Sequence, residues 1–297
     1  MPELPEVETV RAGLERLIVG RAIQTVEYDT QKSFPNSPED VTAFLIGARI
    51  KNIQRRGKVL IIDLTTNYSL VIHLKMTGQL VFVDTHAKRA AEKRFGAGHP
   101  NGSLIGDLPD RSTRVTCTFK DGATLYFNDQ RKFGWMRLLP TIEVPEIDFF
   151  KRLGPEPLQN TFTRTLFITQ LMRRKHSRIK AVLLDQSIIA GIGNIYADES
   201  LWAAKIHPET RVDRISRPKL KALHESIVSI LRLSIQKGGS TDRNYVNAEG
   251  KKGSYIQFAK VFRKEGQACE RCHTTIIKIR SAGRGTHLCP RCQKVVA

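Results

Sequence analysis

The sequence contains no long apolar segment, and this absence excludes a protein with membrane-spanning helices. Its 297 residues include no run of about 18 apolar residues, the length that such a helix needs. The N-terminal region also lacks a basic segment followed by an apolar one, which is the pattern of a secretory signal. We therefore expect a cytoplasmic protein with no membrane partner.

Cysteine is scarce, and its distribution is uneven. Four of the five cysteines form the pattern Cys-x2-Cys-x16-Cys-x2-Cys near the C-terminus: Cys269, Cys272, Cys289 and Cys292. This spacing predicts a ribbon with one structural zinc ion, because two short turns place four thiolates tetrahedrally. Disulfides are the alternative, which a reducing compartment disfavours. Cys117 lies apart in an alternating stretch and is interpreted as a buried structural thiol.

Acidic residues are few relative to basic ones. The chain has 48 Lys and Arg residues against 29 Asp and Glu, for a net charge of +19. A field of this sign attracts polyanions and accelerates their association, so nucleic acid is the first partner to consider. A membrane surface and a ribosome are the alternatives. A hydrophobic content of 40% predicts a folded chain rather than a disordered one.

Hydrophobic periodicity predicts an α+β protein of several domains. Residues 5–19 have the apolar spacing of an amphipathic helix. Alternating segments then predict strands at 22–28, 48–55, 58–64, 69–74, 79–83, 114–119, 123–128 and 135–139. Residues 84–112 break this pattern and are interpreted as a long exposed loop. Residues 1–139 are therefore expected to form a β-rich domain.

The second half of the chain is predicted to be helical. Residues 140–160 contain several prolines and are interpreted as a linker. Apolar periodicity predicts helices at 163–174, 179–187, 195–204 and 217–236. We expect a helical domain over 161–257 and a zinc ribbon over 258–297.

The first residues contain a candidate nucleophile. Pro2 is small enough for Met1 to be removed, which leaves a secondary amine at the N-terminus. An α-amino group titrates near ~8, so a large fraction is neutral and can attack an aldehyde-level carbon to form a Schiff base. Glu3 would lie beside this amine as a proton donor or acceptor. A Met-Pro start also occurs in proteins without such chemistry, so the interpretation of Pro2 as a nucleophile depends on other segments of the chain.

Three further segments have side chains suited to DNA. Gly191–Ile195 holds two glycines near a predicted helix start and follows a basic cluster, which favours phosphate binding over a solvated helical face. Arg284 lies between the cysteine pairs and is flanked by glycines. This pattern is interpreted either as an exposed phosphate contact or as a plain turn. Arg131 and Phe133 point to one side of an extended segment and could replace an extruded base. Met76 is interpreted as either a core residue or an apolar plug.

Together these segments resemble the formamidopyrimidine-DNA glycosylase family of bacterial base-excision repair. The matching segments span nearly the whole chain in order: Pro2–Thr9, Arg56–Lys58, His73–Met76, Asp129–Gly134, Leu153–Pro157, Gly191–Glu199, Gly238–Thr241 and Ala282–Thr286. The resemblance implies a two-layer β-sandwich with a leading helix, a helix–two-turn–helix domain and a zinc ribbon. It also implies a monomeric glycosylase and AP lyase that removes oxidised purines, such as 8-oxoguanine and formamidopyrimidines, from damaged double-stranded DNA held in a cleft.

The resemblance assigns roles to individual residues. The Pro2 nitrogen would attack the sugar carbon that carries the damaged base, Glu3 would move protons, and Lys58 would be a second active-site cation. β- and δ-elimination would then cut the strand. The resemblance also implies three groups of DNA contacts. Met76, Arg131 and Phe133 would fill the gap left by the everted base, and Arg243 and Tyr245 would lie over that base. Lys180, Asn194 and Arg284 would bind phosphates, and Arg284 also belongs to the implied catalytic residues.

Two positions depart from the family pattern, and two other functions remain open. Ser112, a candidate DNA-binding residue, stands where a His is usual, so one phosphate contact is expected to be lost or taken over by Arg111 or Arg114. His176 stands where a Lys is frequent, which weakens a DNA contact at neutral pH.

An endonuclease VIII-like enzyme for oxidised pyrimidines is the nearest alternative, although Leu4 and the gap-filling trio favour the purine enzyme. A non-catalytic damage-binding protein is the other.

Overall fold

The computed structural model describes residues 1–89, 93–99, 101–240 and 255–295, and these fall into two compact units. The first unit is Met1–Lys151 together with the described residues that follow Gln236 up to Ser240. The second runs over Arg152–Gln236 and resumes at Tyr255. No helix in the described ranges combines the length and apolar character needed to cross a membrane.

The first unit contains two antiparallel sheets. Its strands are β1 (Ile23–Tyr28), β2 (Ile50–Arg56), β3 (Val59–Leu64), β4 (Tyr68–His73), β5 (Gly78–Val83), β6 (Arg94–Gly98), β7 (Thr113–Phe119), β8 (Thr124–Asp129) and β9 (Trp135–Pro140). One sheet has the order β1-β7-β8-β5-β6, and the other has the order β2-β3-β4-β9. The eight strands predicted from alternation are all present, with ends that differ by one or two residues.

The two sheets share one apolar core, which confirms the predicted β-sandwich. Ile62 and Ile72 of the four-stranded sheet and Phe82 and Phe127 of the five-stranded sheet are among its buried residues. Cys117 on β7 lies in the same core, and burial raises the pKa of its thiol to about 12. The interpretation of Cys117 as a buried structural thiol is therefore confirmed.

The leading helix α1 (Leu4–Ile18) begins at a reciprocal cap. The Glu3 side chain accepts a hydrogen bond from the Glu6 N–H, and the Glu6 side chain accepts one from the Glu3 N–H. Pro5 lies in the first turn, where its missing N–H removes no helical hydrogen bond. The apolar face that the periodicity predicted is buried in the sandwich core: Val7, Val10, Leu14 and Ile18.

The described residues of 84–112 include a strand, so they do not form the long exposed loop that the sequence predicted. Strand β6 pairs with β5 at the edge of the sheet, and a 3-10 turn follows at Gly102–Leu104. Phe95 and Ala97 of β6 belong to the sandwich core. The prediction was wrong because these two residues are the only apolar alternation in a charged, Gly-rich stretch. The strand is stabilised by pairing and packing with residues distant in sequence.

The second unit contains the predicted helices around a separate core. They are α2 (Arg164–Met172), α3 (Ile179–Leu184), α4 (Asn194–Ala203) and α5 (Arg217–Gln236). Helix α2 begins at Thr163, whose side chain accepts a hydrogen bond from the Leu166 N–H at 3.2 Å. Leu201 on α4 and Leu223 and Ile227 on α5 are buried in this core.

The four cysteines flank a hairpin of β10 (Ile277–Ser281) and β11 (Arg284–Leu288). This ribbon, which the sequence predicted as a separate domain, belongs to the same compact unit as the helices. The buried carboxylate of Glu199 on α4 supports that grouping, because it accepts backbone hydrogen bonds from Lys260, Val261 and Phe262 at 2.7–2.9 Å. The first unit ends at Lys151, inside the segment predicted as a linker.

A substitution at Gly13 tests the packing of β6 on α1. A Cβ atom at Gly13 would overlap the ring of Phe95. We expect Gly13→Val to lower the free energy of unfolding by about 1–3 kcal/mol through overpacking, measured by urea denaturation. Gly102→Val is the control, because an added Cβ meets nothing within 4 Å there. Equal midpoints for the two variants would contradict the packing, and Phe95→Ala should recover part of the Gly13→Val loss.

Candidate active site and nucleic-acid interface

One carboxylate fixes the N-terminal residues. Pro2 and Glu3 are buried, whereas Met1 is 43% exposed. Glu6 Oε2 accepts a hydrogen bond from the Glu3 N–H at 2.8 Å. Glu6 Oε1 accepts two more from Ser240, from its N–H at 2.7 Å and its hydroxyl at 2.8 Å. The candidate nucleophile therefore has a defined position rather than that of a frayed terminus.

Lys58 lies beside a neutral histidine. Lys58 is 6% exposed and directly precedes β3, where Val59 pairs with His73 of β4. Burial lowers the pKa of His73 to about 3, and the charges of Lys75 and Lys58 act in the same direction. His73 is therefore neutral at physiological pH, and the two lysines provide the positive charge of this region. An anionic substrate would be attracted to it.

The loop that follows β8 is organised by the Asp129 carboxylate, which is fully buried. Its Oδ2 accepts hydrogen bonds from the N–H groups of Phe133 at 2.8 Å and Gly134 at 2.7 Å. Its Oδ1 accepts from the Arg131 N–H at 3.2 Å and from the Thr77 hydroxyl. Because Thr77 follows Met76, this carboxylate brings the three predicted gap-filling residues into one region.

Met76, Arg131 and Phe133 have the exposure needed by a wedge, which here means side chains that enter the duplex and fill the gap left by an everted base. Phe133 is 46% exposed, Arg131 is exposed, and Met76 is half-buried. The Arg131 guanidinium lies over the Phe133 ring, 4.8 Å from its centroid. A rigid backbone thus presents a planar cation and an aromatic ring to solvent, the types of side chain that enter a duplex.

Ser112 and Arg114 do not have the positions that phosphate binding requires. Ser112 is 3% exposed, and its hydroxyl donates to Asp110 Oδ1 at 2.6 Å. Arg114 is 6% exposed, and its Nε donates to the Asp129 carbonyl at 2.7 Å. Both side chains are buried and already hydrogen-bonded, which argues against a phosphate contact for either, and the DNA contact stays a prediction. Arg111 is exposed and remains available.

The second unit brings Asn194 and Arg284 together. Asn194 is the first residue of α4, and its Nδ2 donates to the Gly285 carbonyl at 3.0 Å. Arg284 precedes Gly285 and is exposed. A cavity of about 430 Å³ lies against Asn194 and Gly285, and the cations Arg263 and Lys278 and the acidic Glu265 also line it. A helix N-terminus next to such cations favours an anion.

Lys180, predicted to bind phosphate, is instead fully buried. Its Nζ donates to Asp198 Oδ1 and to the Thr286 hydroxyl, each at 2.6 Å. Asp198 Oδ2 also accepts from the His287 N–H at 2.9 Å. The charge of Lys180 is compensated inside the unit, where it joins α3 and α4 to the ribbon hairpin. This placement argues against a phosphate contact, which stays a prediction. A helical basic cluster in a sequence does not distinguish this lysine from its exposed neighbours.

His176 and its neighbours are on the surface of the second unit. His176 is exposed, with Nδ1 at 2.9 Å from Asp213 Oδ2 and 2.7 Å from Arg211 Nη2. Arg173 and Arg174 beside it are exposed too, as a DNA-binding face requires. Two other predicted contacts, Arg243 and Tyr245, lie outside the described residues.

Sequence reasoning overlooked three residues that organise this region: Glu6, His73 and Asp129. Glu6 carries a recognisable signal, since an acidic residue three positions after a helix cap forms a capping box. Asp129 precedes a Gly-containing turn, where Asp side chains commonly accept backbone N–H bonds. His73 carries no such signal, because its neutral state depends on burial and on Lys58, which is distant in sequence.

The four cysteines form a cluster suited to one zinc ion. Their Sγ atoms all lie within 4.8 Å of one another. Tetrahedral zinc with bonds of about 2.3 Å would separate its sulfur ligands by about 3.8 Å. The observed separations fit, at 4.0 Å for Cys269–Cys292 and 3.4 Å for Cys272–Cys289. All five cysteines of the chain are free thiols, which argues against the disulfide alternative.

The thiols of this cluster differ in acidity. Hydrogen bonds from Thr274 lower the pKa of Cys272 to about 6, which favours the thiolate that zinc binds. Burial and the neighbouring sulfur atoms raise the pKa of Cys292 to about 12. Zinc binding must therefore displace protons from the cluster, and its affinity falls as the pH is lowered.

Comparison with protein families matches three consecutive parts of the chain. Residues 1–136 match the formamidopyrimidine-DNA glycosylase N-terminal domain, and residues 153–245 match the formamidopyrimidine-DNA glycosylase H2TH domain. Residues 266–295 match a zinc finger found in FPG and IleRS. The three matches agree with a sandwich, a helical domain and a metal-binding ribbon.

Curated relatives and solved structures extend the similarity to the full length. The chain is 42% identical to a formamidopyrimidine-DNA glycosylase of Streptococcus thermophilus, over 99% of this chain and 100% of the relative. It is 40% identical to that of Latilactobacillus sakei, over 99% and 98%. A Lactococcus lactis FPG mutant in complex with Fapy-dG containing DNA superposes with a TM-score of 0.84 at 37% identity, covering 99% of this chain and 100% of that chain.

Replacing one cysteine of the cluster tests the metal site. We expect Cys272→Ser to lose the zinc ion and DNA binding, because structural zinc stabilises its own fold, while the sandwich unit remains folded. Metal analysis, circular dichroism and duplex binding would measure these effects. Cys117→Ala is the matched control and should retain one zinc ion per chain. Undiminished DNA binding by zinc-free Cys272→Ser would contradict a role for the ribbon.

Proposed function

Because the chain belongs to the formamidopyrimidine-DNA glycosylase family, we propose that it removes oxidised purines from duplex DNA during base-excision repair. The observation that carries the proposal is the buried N-terminus, where Glu6 holds Pro2 and Glu3 in place. Relatives crystallised with Fapy-dG containing DNA and with an AP site containing DNA support this substrate class. We also propose that the enzyme is monomeric and acts in the cytoplasm.

The proposed reaction starts at the N-terminal amine. After removal of Met1, the neutral Pro2 nitrogen attacks the C1′ atom of the damaged nucleotide. The N–C1′ bond forms as the bond from C1′ to the base breaks, and the base leaves with a proton. Opening of the sugar ring gives an iminium ion, which acidifies the neighbouring C2′ position. β-Elimination and then δ-elimination expel the phosphates on either side.

Glu3 and Lys58 support this sequence of steps. Glu3 is adjacent to the nucleophile and is the proposed proton carrier between the sugar and the departing groups. Lys58 is a buried cation next to neutral His73, and we propose that it stabilises negative charge on the bound nucleotide. The low dielectric of this buried region strengthens that attraction.

DNA binding is proposed for two groups of residues. In the first unit, Met76, Arg131 and Phe133 would fill the space left by the everted nucleotide. In the second, Asn194 and Arg284 would bind phosphates, assisted by exposed cations such as Arg173 and Arg174. The net charge of +19 favours the same polyanion. Arg243 and Tyr245 are proposed to contact the everted base.

Covalent trapping tests the proposed nucleophile. Borohydride reduces an imine to a stable amine, so we expect a protein–DNA adduct with duplex DNA carrying 8-oxoguanine opposite cytosine. Peptide mapping should place the adduct on Pro2, and intact mass should show the loss of Met1. Undamaged duplex is the control and should give no adduct. An adduct on a lysine would contradict the mechanism, and faster excision of thymine glycol than of 8-oxoguanine would favour the pyrimidine enzyme.

The wedge role predicts a substrate-dependent loss on substitution of Arg131. We expect Arg131→Ala to reduce excision of a base-paired lesion by about tenfold, because eversion then leaves an unfilled gap that costs stacking energy. Cleavage of an abasic site, which has no base to evert, should change by less than about twofold. Arg137→Ala is the control, since Arg137 also lies 4.8 Å from an aromatic ring, that of Trp135. Equal losses on both substrates would contradict the wedge.

A further inference from the structure

Strand β6, which the sequence did not predict, is followed directly by His99, which lies beside the start of β5. The N–H of His99 donates to the Gly78 carbonyl at 3.0 Å, and Gly78 pairs with Asp129 across the sheet. The buried Gln79 side chain donates to the His99 carbonyl and to Asn101 Oδ1, the latter at 2.7 Å. The backbone of His99 is therefore held next to the segments that carry Met76 and the Asp129 loop.

Packing on α1 places His99 at the same level as the start of that helix. Phe95 of β6 lies against Gly13 of α1. The extended chain from Phe95 to His99 covers about 13 Å. The helix from Gly13 back to Leu4 covers about 14 Å. Because the charge of the Met1 amine acts on His99, β6 runs toward the beginning of α1, and the two similar lengths place His99 at the level of the first residues of the chain.

The electrostatics of His99 agree with this placement. Burial has the largest effect and lowers the pKa of its imidazole; the positive amine of Met1 lowers it as well, whereas Asp129 acts in the opposite direction. The ring is half-buried, and within the described residues neither of its nitrogens makes a hydrogen bond. His99 is therefore a neutral imidazole with one N–H donor and one acceptor available.

The position expected to bind phosphate in this part of the sandwich has a different role. The hydroxyl of Ser112 is 3.0 Å from that of Ser103 and donates to Asp110, so it faces the interior of the 102–112 segment. That segment directly follows β6 and His99. The same stretch of chain that buries Ser112 thus supplies another polar side chain beside the amine.

We propose that His99 is a DNA contact of the active site, where its imidazole hydrogen-bonds the sugar–phosphate backbone of the nucleotide that the N-terminal amine attacks. The amine must reach C1′, and the flanking phosphates are attached to that same sugar. A half-buried donor close to the amine therefore faces the backbone rather than the base. This inference rests on the proposed nucleophile, and its test must be independent of the chemistry.

Binding of duplex DNA with a tetrahydrofuran abasic analogue provides that test, because the analogue has no C1′ leaving group and cannot form an imine. We expect His99→Ala to raise the Kd about tenfold, the effect of removing a hydrogen bond to a charged acceptor. His99→Gln keeps an N–H donor and should remain within about threefold of wild type. His86→Ala, from the same 84–112 segment, is the matched control and should bind like wild type, since His86 is exposed beside the Gly122 turn.

The salt dependence separates a DNA contact from a structural role. A neutral imidazole releases no counterion, so His99→Ala should leave the slope of log Kd against log salt unchanged, whereas loss of a cationic contact lowers it by about one unit. Wild-type affinity for His99→Ala, or equal weakening by His99→Gln, would overturn the proposal. The wild-type protein could fail to form a borohydride adduct while His99→Ala still weakens binding and His99→Gln does not. That result would refute the proposed nucleophile and leave the His99 contact intact.

Discussion

The hydrogen bonds of the Glu6 carboxylate are the constraint on which the catalytic arrangement depends. A chain terminus is ordinarily the least ordered part of a protein. Here one oxygen of Glu6 caps α1 through the Glu3 N–H, and the other accepts two hydrogen bonds from Ser240. The sandwich core fixes α1, α1 fixes Glu6, and Glu6 fixes the residues that precede the helix. In the proposed function, these hydrogen bonds make the terminal amine usable as a nucleophile because they hold the backbone beside it in one position.

Buried carboxylates that accept backbone hydrogen bonds also organise the other functional segments. Asp129 collects three backbone N–H groups and so shapes the loop that carries Arg131 and Phe133. In the second unit, Asp198 and Glu199 are both buried and bond the ribbon segments to α4. A buried carboxylate that accepts several hydrogen bonds is stable only in one local geometry, since any displacement leaves charge unsatisfied. These acidic residues therefore impose positions on basic and aromatic neighbours that contact DNA in the proposed function.

Burial separates the basic residues into two kinds. Lys180 and Arg114 are buried and use their charge inside their units, Lys180 with Asp198 and Arg114 with the Asp129 carbonyl. Arg284 and Arg131 are exposed and keep their donors for a partner. A net positive charge thus overstates the number of cations available to a polyanion. The same rule applies to His73, which burial keeps neutral among lysines.

Local sequence determined much of this protein, and tertiary structure decided the rest. Eight strands of the sandwich, helix α1, the helices of the second unit and the cysteine cluster could be predicted, because alternation, helical spacing and Cys-x2-Cys pairs are short-range signals. Strand β6 could not, since its stability comes from pairing with β5 and from the contact of Phe95 with Gly13. Nor could the placements of Lys180 and His99, whose neighbours come from residues far along the chain, or that of Ser112, whose partners Asp110 and Ser103 lie in a segment without regular periodicity. Residue type and spacing determine which chemistry is possible, and only packing decides which side chains remain free to perform it.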